Sequence, residues 1–198
     1  MKKCYLSVLF LIPGFANAEV VIGKQAPTFK EVDQSGKYHG LNDYKGKWLV
    51  LEWYNEGCPY VKKHYRSGNM QNIQKKYTDK GVKWLTVATS AKGKQGYIDP
   101  KVASKHIKKA GMNSSALLLD ADGTMGRAYD AKTTPHMFVI SPEGKVVYAG
   151  AIDSNDSANP ATIKGATNYV ADALDASLAG KDVKVASTRA YGCSVKYK

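Results

Sequence analysis

Two hydrophobic rhythms divide this chain. The first is a short continuous apolar run, which marks a strand buried on both faces. Trp48 to Tyr54 is the clearest case, with Glu52 as the one acid inside it. Val82 to Thr89, Ala116 to Asp120 and His136 to Ile140 repeat the type. The second rhythm is helical. From Pro59 to about Thr78, Val61, Tyr65, Ile73 and Tyr77 share a face, with lysines and arginine opposite. Ser67-Gly68-Asn69 predicts a break there, with Asn69 able to cap a second piece. Pro100 to Ala110 reads as a basic helix stopped by Gly111, and Thr124 to Tyr129 as one helical turn or two. Ile163 to Leu178 reads as a last helix, closed by Gly180. Ser141-Pro142-Glu143-Gly144 is a hairpin turn, after which Lys145 to Ala149 returns antiparallel. The β–α–β order makes the first two buried strands parallel, with a right-handed crossover. Strands alternating with helices, then a hairpin and a final helix, predict an α/β sandwich: one mixed sheet with helices on both faces.

The start of the chain changes the picture. Lys2 and Lys3, the apolar segment Tyr5 to Phe15 and the small residues Ala16-Asn17-Ala18 form a secretory signal peptide. The expected organisation is a signal peptide over 1–18, one domain over 19–180 and a C-terminal tail over 181–198. Export into a periplasm follows, with no membrane span once the leader is cut. Cleavage removes Cys4 and leaves Cys58 and Cys193, an even count that permits one disulfide. The net charge of +12 is spread over predicted helices and turns rather than packed in one block. It fits solvated faces and steering of acidic partners. With no groove-reading motif and an exported chain, no nucleic-acid partner is expected.

Cys58 is the candidate centre. Asn55, Glu56 and Gly57 end the strand, and Pro59 suits the first position of a helix. Cys58 therefore falls at the N-cap, where unpaired N–H groups and the helix dipole stabilise a thiolate. The alternative is an inert buried cysteine. Glu52, six residues earlier, has apolar neighbours on both sides. A buried carboxyl there has its pKa raised and can exchange a proton near neutral pH. Lys62, Lys63 and His64 fill the first turns of the helix, and solvated positions are expected for Lys62 and Lys63.

Several of these stretches, in this order, resemble the thioredoxin-like superfamily in its redoxin or peroxiredoxin-like (AhpC/TSA-like) secreted branch. They are Ala26-Pro27-Thr28-Phe29 with Asp33-Gln34-Ser35-Gly36-Lys37, Gly46 to Leu51, Asn55-Glu56-Gly57-Cys58-Pro59-Tyr60-Val61 and Thr134-Pro135. Tyr191-Gly192-Cys193-Ser194-Val195-Lys196-Tyr197 also resembles that branch's ending. The resemblance covers Ala26 to about Leu178. It implies a thioredoxin-like fold, a cis-proline at Pro135 and Glu52 as a proton shuttle. It also implies a loop against the sulfur in which Thr134 pairs with an incoming extended chain, with Asn55 and Pro59 also at the substrate.

This chain departs from that pattern where the mechanism is decided. Val61 stands where the second cysteine of a Cys-x-x-Cys loop would be. Cys193 lies thirteen residues beyond Gly180, a stretch able to reach roughly 40 Å. It is either a resolving thiol for Cys58 or a free or partner-linked cysteine, and the sequence leaves both open. Peroxiredoxins carry threonine where this chain has Asn55 and arginine where it has Pro135; Arg127 and Arg189 are the possible substitutes. The expected activity is thiol–disulfide exchange with protein thiols or disulfides, fed by an unidentified reductant. The alternatives are a thiol peroxidase acting on hydroperoxides and a non-catalytic binding module with a structural disulfide. His64 and His136 could join Cys58 at a metal, as in copper-delivery relatives of the fold. Those use two cysteines close in sequence, so neither metal nor cofactor is expected.

Overall fold

The computed structural model describes residues 20–198. The predicted signal peptide and Cys4 lie outside the described residues. The strands are β1 (Lys30–Val32), β2 (Tyr38–Gly40), β3 (Leu49–Trp53), β4 (Lys83–Val87), β5 (Ala116–Leu118), β6 (Thr133–Thr134), β7 (His136–Ile140), β8 (Val146–Gly150) and β9 (Cys193–Ser194). The helices are α1 (Pro59–Arg66), α2 (Asn69–Thr78), α3 (Pro100–Ala110), α4 (Thr124–Ala128) and α5 (Tyr169–Leu178).

The central sheet has the order β5-β4-β3-β7-β8. β3 runs parallel to β4 and antiparallel to β7, and β4 runs parallel to β5. All five residues of β3 are buried, as an uninterrupted apolar run requires. Side chains alternate between the two faces. Leu49, Leu51 and Trp53 face a core completed by Leu85, Met125, Tyr129 and Phe138, under α4 and the N-terminal segment. Val50 joins Trp84, Met137 and Val139 beneath α2 and α5. α3 packs through Ala103 near Leu117 and Val61. The fold is thioredoxin-like, a mixed sheet between helical layers.

The break in the first long helical pattern falls at Gly68, which adopts a left-handed conformation (φ 74°) before α2. The last helix starts later than its apolar pattern predicts. Residues from Pro160 to Gly165 form a 3-10 turn, and α5 begins at Tyr169. The Asn168 side chain accepts from the Ala171 N–H, a cap that competes successfully with continued helix. Lys63 reverses its expectation more sharply. It is buried in α1 rather than solvated, for a reason that belongs to the site.

After α5 the chain crosses back over the sheet. Thr188 donates its N–H to Ala149 O (3.1 Å), and its hydroxyl accepts from the Ala151 N–H (2.9 Å). β9 then pairs with β6, the strand just before Pro135. Replacing Asn168 by alanine is expected to cost about 1 kcal/mol of stability, read as a lowered urea midpoint at unchanged slope.

Candidate active site

Asn55 builds the turn that ends β3. Its carbonyl accepts the Cys58 N–H at 3.0 Å, its side-chain oxygen accepts the Gly57 N–H at 2.8 Å, and its amide donates to Gln95 O at 3.2 Å. Cys58 follows as the N-cap of α1, with exposed Pro59 in its first turn. The Cys58 side chain has no solvent exposure. Its Sγ lies 2.9 Å from the carbonyl oxygen of Thr134, to which the thiol donates. The Thr134–Pro135 bond is cis.

Cys193 arrives from the other end of the chain. β9 runs antiparallel to β6, with Cys193 opposite Thr134 and Ser194 opposite Thr133. Cys193 packs against the buried cluster that contains Cys58, and both cysteines are free. Burial pushes the Cys58 thiol up. The Cys193 thiol, the N–H groups of Val61 and Cys193 and the Thr134 hydroxyl together outweigh burial and hold it below its ordinary value. Cys193 moves the other way, to about 11, because burial and the neighbouring Cys58 both oppose its ionisation. The two thiols are thus shifted in opposite directions, Cys58 toward the thiolate and Cys193 away from it.

Glu52 lies on β3 at 1% exposure. It accepts from Tyr65 Oη (2.8 Å), Gln74 Nε2 (2.9 Å), Trp84 Nε1 (2.8 Å) and Thr86 Oγ1 (3.4 Å). Burial raises its pKa and the four donors lower it, leaving the net direction upward. The donors account for the survival of an acid inside the sheet.

A second polar cluster went unread in the sequence. Lys63 Nζ lies 3.2 Å from Asp153 Oδ2 and donates to Asn155 O at 2.7 Å. Asp153 in turn accepts from the Tyr191 hydroxyl. His64, fully buried, pairs through Nδ1 with the Asn69 amide at 2.8 Å. Burial holds it neutral, down to about 4, against the pull of Asp153. Tyr191 stands two residues before Cys193, so the cluster ties the cysteine-bearing strand to α1. The Tyr191-Gly192-Cys193 ending was a visible signal; Asp153, in a polar loop, offered none.

The remaining candidates lie elsewhere. His136 packs on Phe138 with ring centres 4.5 Å apart and is kept neutral by burial, down to about 4. Among the described residues, the group close enough to share a cation is Glu31, Asp120 and Asp122, which includes none of Cys58, His64 and His136. Arg127 lies over the Tyr197 ring, 4.4 Å from its centre, and donates to Gly123 O. Arg189 is exposed and lines a cleft of about 260 Å³ with Lys132 and His136.

The sequence profile of the AhpC/TSA family matches residues 22–149. The thiol-disulfide oxidoreductase ResA of Bacillus subtilis is 31% identical over 145 residues, spanning 73% of this chain and 75% of that protein. An uncharacterised conserved protein from Geobacillus kaustophilus has a crystal structure that superposes with a TM-score of 0.78 at 26% identity, over 91% of this chain and 94% of that one. The thioredoxin domain of a thiol-disulfide oxidoreductase from Bacteroides vulgatus superposes at 0.53 with 21% identity, over 74% of this chain and 98% of that one. This chain belongs to the AhpC/TSA family, within the thioredoxin-like redoxins.

Two outcomes follow from the site's electrostatics. The Cys58 thiol titrates below the ordinary range, so its thiolate fraction at neutral pH exceeds that of the unfolded chain; Cys193→Ala removes a donor and moves the midpoint of its ultraviolet thiolate absorbance upward. Asp153→Ala strands the buried Lys63 cation and should cost about 3–5 kcal/mol in denaturant unfolding.

Proposed function

We propose that the protein is an exported thiol–disulfide oxidoreductase in which Cys58 attacks and Cys193 resolves. The observation that carries this reading is the meeting of two free thiols at the start of α1, one prepared to ionise and the other to keep its proton. In the first step the Cys58 thiolate attacks one sulfur of a protein disulfide. That disulfide breaks, its distal sulfur leaves as a thiolate, and a mixed disulfide forms. In the second step the Cys193 sulfur, having given up its proton, attacks Cys58. The partner leaves as a second thiol, now fully reduced, and the protein holds a Cys58–Cys193 disulfide. An external dithiol, the unidentified reductant, returns the pair to thiols.

Relatives named thiol-disulfide oxidoreductase support this chemistry. Glu52 is assigned the proton shuttle, on the strength of its burial and raised pKa. Thr134 and Pro135 are assigned to the partner's backbone, while Asn55 and Pro59 shape the turn that presents the sulfur. The signal-like start, Lys2 to Ala18, supports a periplasmic location. No described helix is long and apolar enough to cross a membrane.

The peroxidase alternative draws support from the family match, but Asn55 and Pro135 stand where a peroxidase carries its threonine and arginine. Asn55 holds the turn, and Arg127 is stacked on Tyr197.

Trapping tests the proposal. Cys193→Ser should leave partner proteins covalently attached through Cys58, identifiable by mass spectrometry of exported extracts, and Cys58→Ser should trap none. Fast hydrogen peroxide consumption that vanishes in Cys58→Ser would instead establish the peroxidase.

A further inference from the structure

The edge offered by Thr133 and Thr134 is already taken. β9 pairs with it residue for residue, and the ladder continues with the Val195 N–H on Lys132 O at 3.0 Å. The seat is made to fit on both sides. Before the cysteine, Gly192 has φ +142° and lies against the Thr134–Pro135 peptide so closely that a Cβ there would overlap the Thr134 carbonyl. One position earlier the Tyr191 hydroxyl reaches Asp153. Beyond the cysteine, Val195 is buried in the core and the Tyr197 hydroxyl donates to Ala131 O at 2.7 Å. With this strand in place Cys58 has no exposure. A disulfide sulfur from another chain has no line of approach until the strand moves.

We infer that β9 is a displaceable strand occupying the docking edge of the protein's partner, and that the partner is an extended polypeptide whose reactive cysteine directly follows a glycine. The inference rests on Cys58 being the attacking thiol. Its physical basis is the register. A chain that replaces β9 on the same ladder puts its cysteine opposite Thr134, next to Cys58, and its preceding residue against the Thr134 carbonyl. A side chain there meets the clash that glycine avoids in the tail. The tail competes from within the same molecule, at a high effective concentration. Partners therefore react at a rate scaled by the fraction of molecules with the edge open. The strand itself is only two residues long, and the stretch from Lys181 to Arg189 that leads to it is largely exposed, so release does not require unfolding the domain.

The test uses full-length Cys193→Ser protein, with and without Gly192→Ala. Two peptides serve as probes, Tyr-Gly-Cys-Ser-Val and Tyr-Val-Cys-Ser-Val, each as a mixed disulfide with nitrothiobenzoate. The Cys58 thiolate attacks the peptide sulfur, the peptide–nitrothiobenzoate bond breaks, and coloured nitrothiobenzoate leaves with the electron pair. Gly192→Ala opens the edge and should speed the glycine peptide by about tenfold. In that variant the glycine peptide should outpace the valine peptide by about tenfold as well. Should Gly192→Ala fail to fold, Tyr191→Phe loosens the same strand through the lost Asp153 bond and should give an acceleration of the same sign. Equal rates with and without the loosening substitution, and for both peptides, would overturn the inference while leaving Cys58 as the nucleophile. Absence of a peptide adduct on Cys58 in every folded variant, with ready reaction after guanidinium unfolding, overturns the exchange reading itself.

Discussion

The site depends on a backbone turn that delivers one sulfur to the start of a helix and closes it off from water. The Asn55 side chain and carbonyl hold the N–H groups of Gly57 and Cys58, so Cys58 takes the N-cap and Pro59 the first turn. Desolvation at such a place favours the neutral thiol. It is outweighed because the donors around the sulfur are fixed before any reaction. The Val61 N–H belongs to the helix, while the Cys193 and Thr134 donors come from the far end of the chain and the proline loop. Preorganised donors are the kind of electrostatic support that does not have to reorganise when charge develops.

That dependence links two parts of the chain far apart in sequence. Cys193 can oppose Thr134 only while β9 is seated, and the seat is secured through Tyr191, Asp153 and Lys63. A lysine with no exposed side-chain surface is costly unless paired and hydrogen-bonded, and here it has both a carboxylate and the Asn155 carbonyl. The cluster binds α1, the loop after β8 and the tail into one arrangement. Glu52 shows the same economy on β3, where four donors, Tyr65 of α1 among them, keep a carboxyl inside the sheet.

The sheet and its helices could be read from the sequence because their signals are local. An apolar run such as Leu49 to Trp53, or a stop such as Gly111 after α3, carries its own instruction. The late start of α5 was missed because its apolar pattern begins at Ile163, inside the Pro160–Gly165 turn, and a single Asn168 cap decided the boundary. Lys63 was misread because α1 alone gives a lysine no reason to be buried. Its partner lies ninety residues away, in a loop whose composition says only that it is polar.

By itself, the sequence determined the strand-to-helix turn, the placement of Cys58 at its corner, the buried acid at Glu52 and the family resemblance, since each rests on neighbouring residues. Tertiary structure decided which groups the sulfur meets. The opposition of Cys193 and Thr134, the clearance that only Gly192 provides, and the anchoring of Tyr191 on Asp153 are long-range facts. They depend on how the folded sheet brings the end of the chain back beside its proline loop, and no local pattern encodes that return.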